Sequence, residues 1–169
     1  MDPTQLSREL REGSSPDLQR RRMIIGLSTL GASIGQLVSL YQTGIIKHLP
    51  DPPIPIFDAD KVDSSEYAYK RLDTPDGFMM VTTYAITAWL AGAGGEDRAK
   101  TQPLIPLAMG GKILLDILTN AKLASEEWQY NRKFCEYCQL ASLASLASLV
   151  IALPEIATAA QTLMGHNDK

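Results

Sequence analysis

The chain has only two cysteines and two histidines, and nowhere does it gather its basic residues into a stripe. Each shortage excludes something. Nucleic acid as the main partner would need a clustered basic surface to meet the phosphates, and a net charge of -3 with a pI near 5.4 points the other way. A zinc site takes about four ligands, whereas Cys135 and Cys138 are joined only by His48 and His166, so no metal is expected. The third shortage is local. Residues 23–46, MIIGLSTLGASIGQLVSLYQTGII, contain no charge over a length that exceeds the roughly 20 residues a helix needs to cross a bilayer. The mean hydropathy of -0.06 hides this, because it averages such runs with a polar N-terminal arm and an acidic loop.

Three further stretches resemble the first. Residues 78–95, FMMVTTYAITAWLAGAGG, are uncharged; residues 102–120 are apolar except for Lys112 and Asp116; residues 137–160 are interrupted only by Pro154 and Glu155. The pattern predicts an all-α integral membrane four-helix bundle with a long external loop after the first helix. Residues 1–22 form a polar arm, 23–163 the transmembrane domain and 164–169 a tail. A four-helix bundle buried in water is the alternative, but soluble helices carry a charged face and the first, second and fourth segments show none. Small residues, as in the LASLASLAS run at 140–148, suit close helix approach in lipid.

The first apolar run is too long for the 7–15-residue core of a signal peptide, so it reads as a retained anchor. Positive residues flank the cytoplasmic side, and Arg20, Arg21 and Arg22 place the N-terminus inside. Four spans then leave both termini cytoplasmic, with residues 47–77 and 120–136 outside. The first of these connections opens with HLPDPPIPIF, an extended course. It continues through DADKVDSSEYAYKRL, a short amphipathic helix suited to lie over the membrane as a lid. Tyr41, Trp128, Tyr130, Phe134 and Tyr137 fall near one boundary, and Trp89 marks the other.

FCEYCQL, residues 134–140, places Cys135 and Cys138 at the external entrance of the last helix. Their sulfurs lie about one helical turn apart, close enough for a disulfide, and a helix N-terminus stabilises thiolate. The pair is either a dithiol that cycles with a disulfide or two small apolar side chains that pack. Lys112 and Asp116 share one helix face; they are either an ion pair that fixes packing or part of a proton route.

The order of spans, the long loop after the first, and F-C-x-x-C opening the fourth resemble the vitamin K epoxide reductase family. RRRMIIGLSTLGASIGQLVSLYQTGIIKHLPDPP and FDADKVD are similar to its short bacterial branch. The resemblance covers about residues 20–160. It implies a bacterial inner-membrane enzyme, a quinone-dependent thiol oxidoreductase that oxidises exported thiol proteins. Cys138 would face a quinone of the menaquinone or ubiquinone type, and Cys135 would exchange disulfides with a thioredoxin-like thiol protein on the external side.

Several positions depart from the family. The loop at 47–77 lacks the usual shuttle cysteines, so Cys135 is expected to meet its donor directly through an open path. The acidic loop (Asp51, Asp58, Asp60, Asp63, Glu66, Asp73 and Asp76) favours a donor with a basic face. Where the family begins its second span with Pro-Asn, whose Asn serves the quinone, this chain has Pro75 and Asp76. Asp76 is either a quinone contact, when protonated, or a helix N-cap. Ser142 stands at the position of a quinone-holding Tyr. The missing shuttle also supports an alternative class, a non-catalytic structural subunit of a larger respiratory or photosynthetic membrane complex that keeps the fold.

Overall fold

The computed structural model describes residues 2–166. Eight helices follow in order: α1 Pro3–Glu12, α2 Pro16–Gln42, α3 Ala59–Asp63, α4 Glu66–Tyr69, α5 Asp76–Gly92, α6 Arg98–Thr101, α7 Leu104–Asn131 and α8 Glu136–His166. No strand occurs among the described residues; Phe57 and Phe134 form one isolated bridge. Among the described residues three helices, α2, α7 and α8, are long and apolar enough to cross a membrane. The tail expected at 164–169 is helical as far as residue 166, and residues 167–169 lie outside the described region.

Local chemistry explains where the helices depart from the expected spans. Helix α2 starts at Pro16, ahead of the uncharged run that begins at residue 23, because the Ser15 hydroxyl accepts from Leu18 N at 3.3 Å and proline suits the first helical position. Helix α7 runs on through AKLASEEWQYN to Asn131, so most of the connection expected at 120–136 is helix. Loop groups hold this polar extension: the Tyr67 hydroxyl donates to Leu123 O at 2.8 Å, and Arg71 pairs with Glu126.

Helix α5 has 17 residues, about 26 Å at 1.5 Å per residue, against a hydrocarbon core of about 30 Å. Its last carbonyls lack helical partners and are met by two buried arginines. Arg21 donates to the carbonyls of Ala91, Ala93, Gly94 and Gly95 at 2.7–3.0 Å. Arg98 donates to Leu90 and Ala93 at 2.6 Å and forms a two-bond pair with Glu155 at 2.7 and 2.8 Å. The arginine triplet is therefore not a simple charged flank. Arg21 is buried, Arg22 holds the carbonyls of Leu10 and Gly13, and Arg20 pairs with Asp17.

Helix α2 packs on α5 and α8, while α7 packs on α8 and α5. The α2–α5 seam is built from glycine: a Cβ on Gly77 would stand 2.7 Å from Ser39 N, and one on Gly31 2.6 Å from the Tyr84 ring. On α8 the small residues Ala141, Ala144, Ser145, Ser148 and Ala152 are buried, whereas Leu140, Leu143, Leu146, Val150 and Leu153 are 46–66% exposed. Large apolar side chains thus face outward, as lipid requires and water penalises.

Candidate functional site

Cys135 lies just before α8 and Cys138 in its first turn. Cys138 N donates to Cys135 Sγ at 3.3 Å, and both thiols are free. Their exposures differ: Cys135 is fully buried and Cys138 half-buried.

What buries Cys135 is the loop. Leu49, Ala59 and Val62 pack on it as one apolar cluster. The loop is also tied down near Cys135: Asp58 N donates to Phe134 O at 3.1 Å and Phe134 N to Ile56 O at 2.9 Å. The Tyr137 hydroxyl donates to Pro50 O at 2.8 Å and the Tyr41 hydroxyl to Asp60 O at 3.0 Å. The expected open path to Cys135 is absent. The segment instead packs on Cys135 through Leu49, Ala59 and Val62 and covers the sulfur.

The loop brings a carboxyl with it. The Cys135 thiol donates to Asp63 Oδ2 at 3.1 Å, and Asp63 is 1% exposed with Oδ1 unpartnered among the described residues. Burial pushes the Asp63 carboxyl up to about 8; its bond from Cys135 opposes this, while Asp76, Glu127 and Glu136 add to it. Burial likewise pushes the Cys135 thiol up to about 12. Asp63 is therefore not one of the loop's surface charges. The ligand atoms of Asp63, Cys135 and Cys138 lie within 4.8 Å of one another, one donor short of the four a closed zinc site takes. His48 is engaged elsewhere, with Asp60, and the His166 side chain lies outside the described region. The polar extension of α7 completes the surroundings, since Glu127 Oε2 accepts from Cys135 N at 3.4 Å and from Gln139 Nε2 at 3.2 Å.

Beside Cys138, between α5, α7 and α8, lies a cavity of about 290 Å³. Asp76, Tyr84, Asp116, Asn120, Cys138 and Ser142 are among its lining residues. The structure thus brings Asp76 and Ser142 to the same cavity as Cys138. One side-chain oxygen of each already has a partner: Asp76 Oδ1 accepts from Gln42 Nε2 at 2.6 Å, and the Ser142 hydroxyl donates to Cys138 O at 2.8 Å. Asp76 makes no N-cap bond for α5; Gln42 Oε1 instead accepts from Gly77 N at 3.0 Å. Lys112 donates to Thr87 Oγ1 at 2.6 Å, to Thr83 O and to Asp116, whose Oδ1 accepts from the Thr83 hydroxyl at 2.9 Å. The pair therefore ties α7 to α5, and Asp116 also faces the cavity.

Sequence reasoning missed Asp63, Glu127 and Gln42 as parts of this site. Asp63 is one of several carboxylates in an acidic loop, and nothing local marks it as the one that turns inward. Glu127 lies in a segment expected to be a connection rather than helix.

A family model described as "Vitamin K epoxide reductase family" matches residues 22–153, a range that holds α5, α7, both cysteines, Asp63 and the whole cavity lining. No curated protein and no solved structure matches the chain.

Proposed function

The chain belongs to the vitamin K epoxide reductase family, and from that premise we propose that it couples a Cys135–Cys138 disulfide to a membrane quinone. Membership and the apolar helices support a membrane thiol–disulfide oxidoreductase; the quinone and the partner are the proposal. The observation that carries it is the cavity: it reaches Cys138, has apolar walls at Met79, Met80, Leu115 and Leu123, and carries a few convergent polar groups. Its volume is near the lower end of small-molecule sites. The amides of Asn120 and Gln139 line it and suit a carbonyl acceptor.

A quinone held there supplies two-electron acceptance. The protein supplies the dithiol: Cys138 faces the acceptor, and closure of the Cys135–Cys138 bond releases two electrons and two protons. An external protein dithiol then restores the thiols through a mixed disulfide, its own two sulfurs becoming a disulfide. In the covered state Cys135 is out of reach of such a partner, so α3 must lift for exchange at that sulfur. In this reading α2, α5, α7 and α8 are the four membrane spans. Residues 43–75 and the start of α8 then face outside a bacterial cell membrane, with both termini cytoplasmic.

The test is to reduce the detergent-solubilised protein, add a menaquinone analogue, and count free thiols by alkylation and mass. The reading expects loss of both thiols in wild type and none in Cys138→Ser. Thiols that persist with menaquinone and ubiquinone analogues alike, in protein that stays helical, would sink it. The sealed Cys135 favours a second reading, a non-catalytic subunit of a larger membrane complex. That one expects the chain to co-purify with other subunits and its thiols to stay inert.

A further inference from the structure

Asp63 is a buried carboxyl from a loop helix, in contact with a buried thiol, and the quinone-side chemistry makes no use of it. We propose that Asp63 is the proton acceptor and donor for Cys135, the general base when the internal disulfide closes and the general acid when it opens. This rests on the thiol–disulfide reading above.

The geometry assigns the role to Asp63. Cys135 Sγ lies 3.1 Å from Asp63 Oδ2, within the reach a general base needs, and no other side-chain acceptor touches that sulfur among the described bonds. Both groups are buried, Cys135 beneath Leu49, Ala59 and Val62, so bulk water does not reach the proton in the covered state. Asp63 Oδ1 has no partner among the described residues. A buried polar atom left without a partner calls for an explanation, and proton exchange with the neighbouring thiol supplies one for Asp63. Tyr41 from α2, Tyr69 from α4, Asp76 from α5, Glu127 from α7, and Glu136 with both thiols from α8 and its entrance surround it. None of these is a cation, so the anion is not locked in an ion pair and the proton stays exchangeable.

Closure balances as follows. Suppose Cys138 carries a mixed disulfide to a small thiol. The Cys135 S–H bond breaks, its proton passes to Asp63 Oδ2, and the sulfur pair forms a bond to Cys138 Sγ. The bond from Cys138 to the small thiol breaks, and the electron pair leaves on that thiol's sulfur, which takes a proton from water. Opening runs in reverse, with Asp63 returning the proton to the Cys135 thiolate.

A small aromatic disulfide, dithiodipyridine, separates the steps with the full chain in detergent. Half-buried Cys138 releases one coloured thiopyridone on forming the mixed disulfide, and Cys135 releases the second on closure. Asp63→Asn is expected to leave the first release within about twofold and to slow the second by about 100-fold, the lower end of general-base contributions. The pH profile separates this from a packing defect. Closure in wild type should rise tenfold per pH unit and level off above about 8, where Asp63 is ionised, whereas in Asp63→Asn it should keep rising with thiol ionisation. A second release in Asp63→Asn at the wild-type rate, or with the wild-type inflection, overturns the proposal. Should Asp63→Asn fail to fold, Asp63→Glu decides: an inflection that moves with the new carboxyl supports the role, and an unmoved one overturns it. Quinone-driven thiol loss is a separate readout, so the function reading can fail while this one stands, and the reverse.

Discussion

Two aspartates three positions apart in the loop have opposite surroundings. Asp63 points inward onto Cys135, whereas Asp60 sits at the surface, pairs with His48 and accepts from Leu49 N at 2.8 Å. The hydrogen bond to Asp60, followed by its charge, raises the pKa of His48 above the ordinary 6.5. A group raised on folding contributes stability that is fully present below the unfolded value, about 6.5, and is lost as pH rises through the folded one. Hydrogen exchange at the Leu49 amide is the local probe. The ratio of its protection in wild type to that in His48→Gln should be highest near pH 6 and fall toward one as pH rises past the folded value. A ratio constant from pH 6 to 9 would mean that the pair does nothing for the loop.

The contact between α2 and α5 depends on absent side chains. Gly77 lies against Ser39 N and Gly35 O, where a Cβ would meet backbone at 2.7 and 2.9 Å, while a Cβ on Gly92 of the same helix meets nothing within 4 Å. Gly77→Ala must therefore push α5 away from α2 and is expected to cost about 1–3 kcal/mol, the range for overpacking. Gly92→Ala, at the last turn, should stay within about 0.5 kcal/mol of wild type. Thermal unfolding in one detergent compares the two. Equal Tm values would show that the seam gives way more easily than its geometry implies. A displaced α5 also moves Asp76 and Tyr84, so Gly77→Ala should weaken whatever the cavity holds.

For the molecule as a whole, sidedness is the open consequence of the proposed function. The α1 arm, Arg21 and Arg98 gather at one end, and the loop, Asp63 and the cysteines at the other. Leu72 is 83% exposed in the loop, and Arg8 is exposed on α1. With the native cysteines replaced by serine, Leu72→Cys should react with a membrane-impermeant maleimide in intact cells, and Arg8→Cys only after the membrane is opened. The opposite pattern would invert the topology, and equal labelling of both would deny that the two ends lie on opposite sides.

The sequence by itself determined the helical class, the membrane setting, the C-x-x-C at the entrance of the last helix and the family. These rest on one-dimensional signals: uncharged runs of span length and a fixed cysteine spacing. Only the tertiary structure decided that the loop seals Cys135, that Asp63 rather than a neighbouring aspartate meets its sulfur, and that Arg21 and Arg98 close the short end of α5. Apart from the short-range bonds of Arg98 to the end of α5, these join residues tens of positions apart, as Asp63 and Cys135 are. Local propensity treats the carboxylates of an acidic loop, or the arginines of a triplet, alike. What distinguishes them is which buried sulfur or unpaired carbonyl the packed helices bring within reach, because in a dry interior a polar group without a partner is costly.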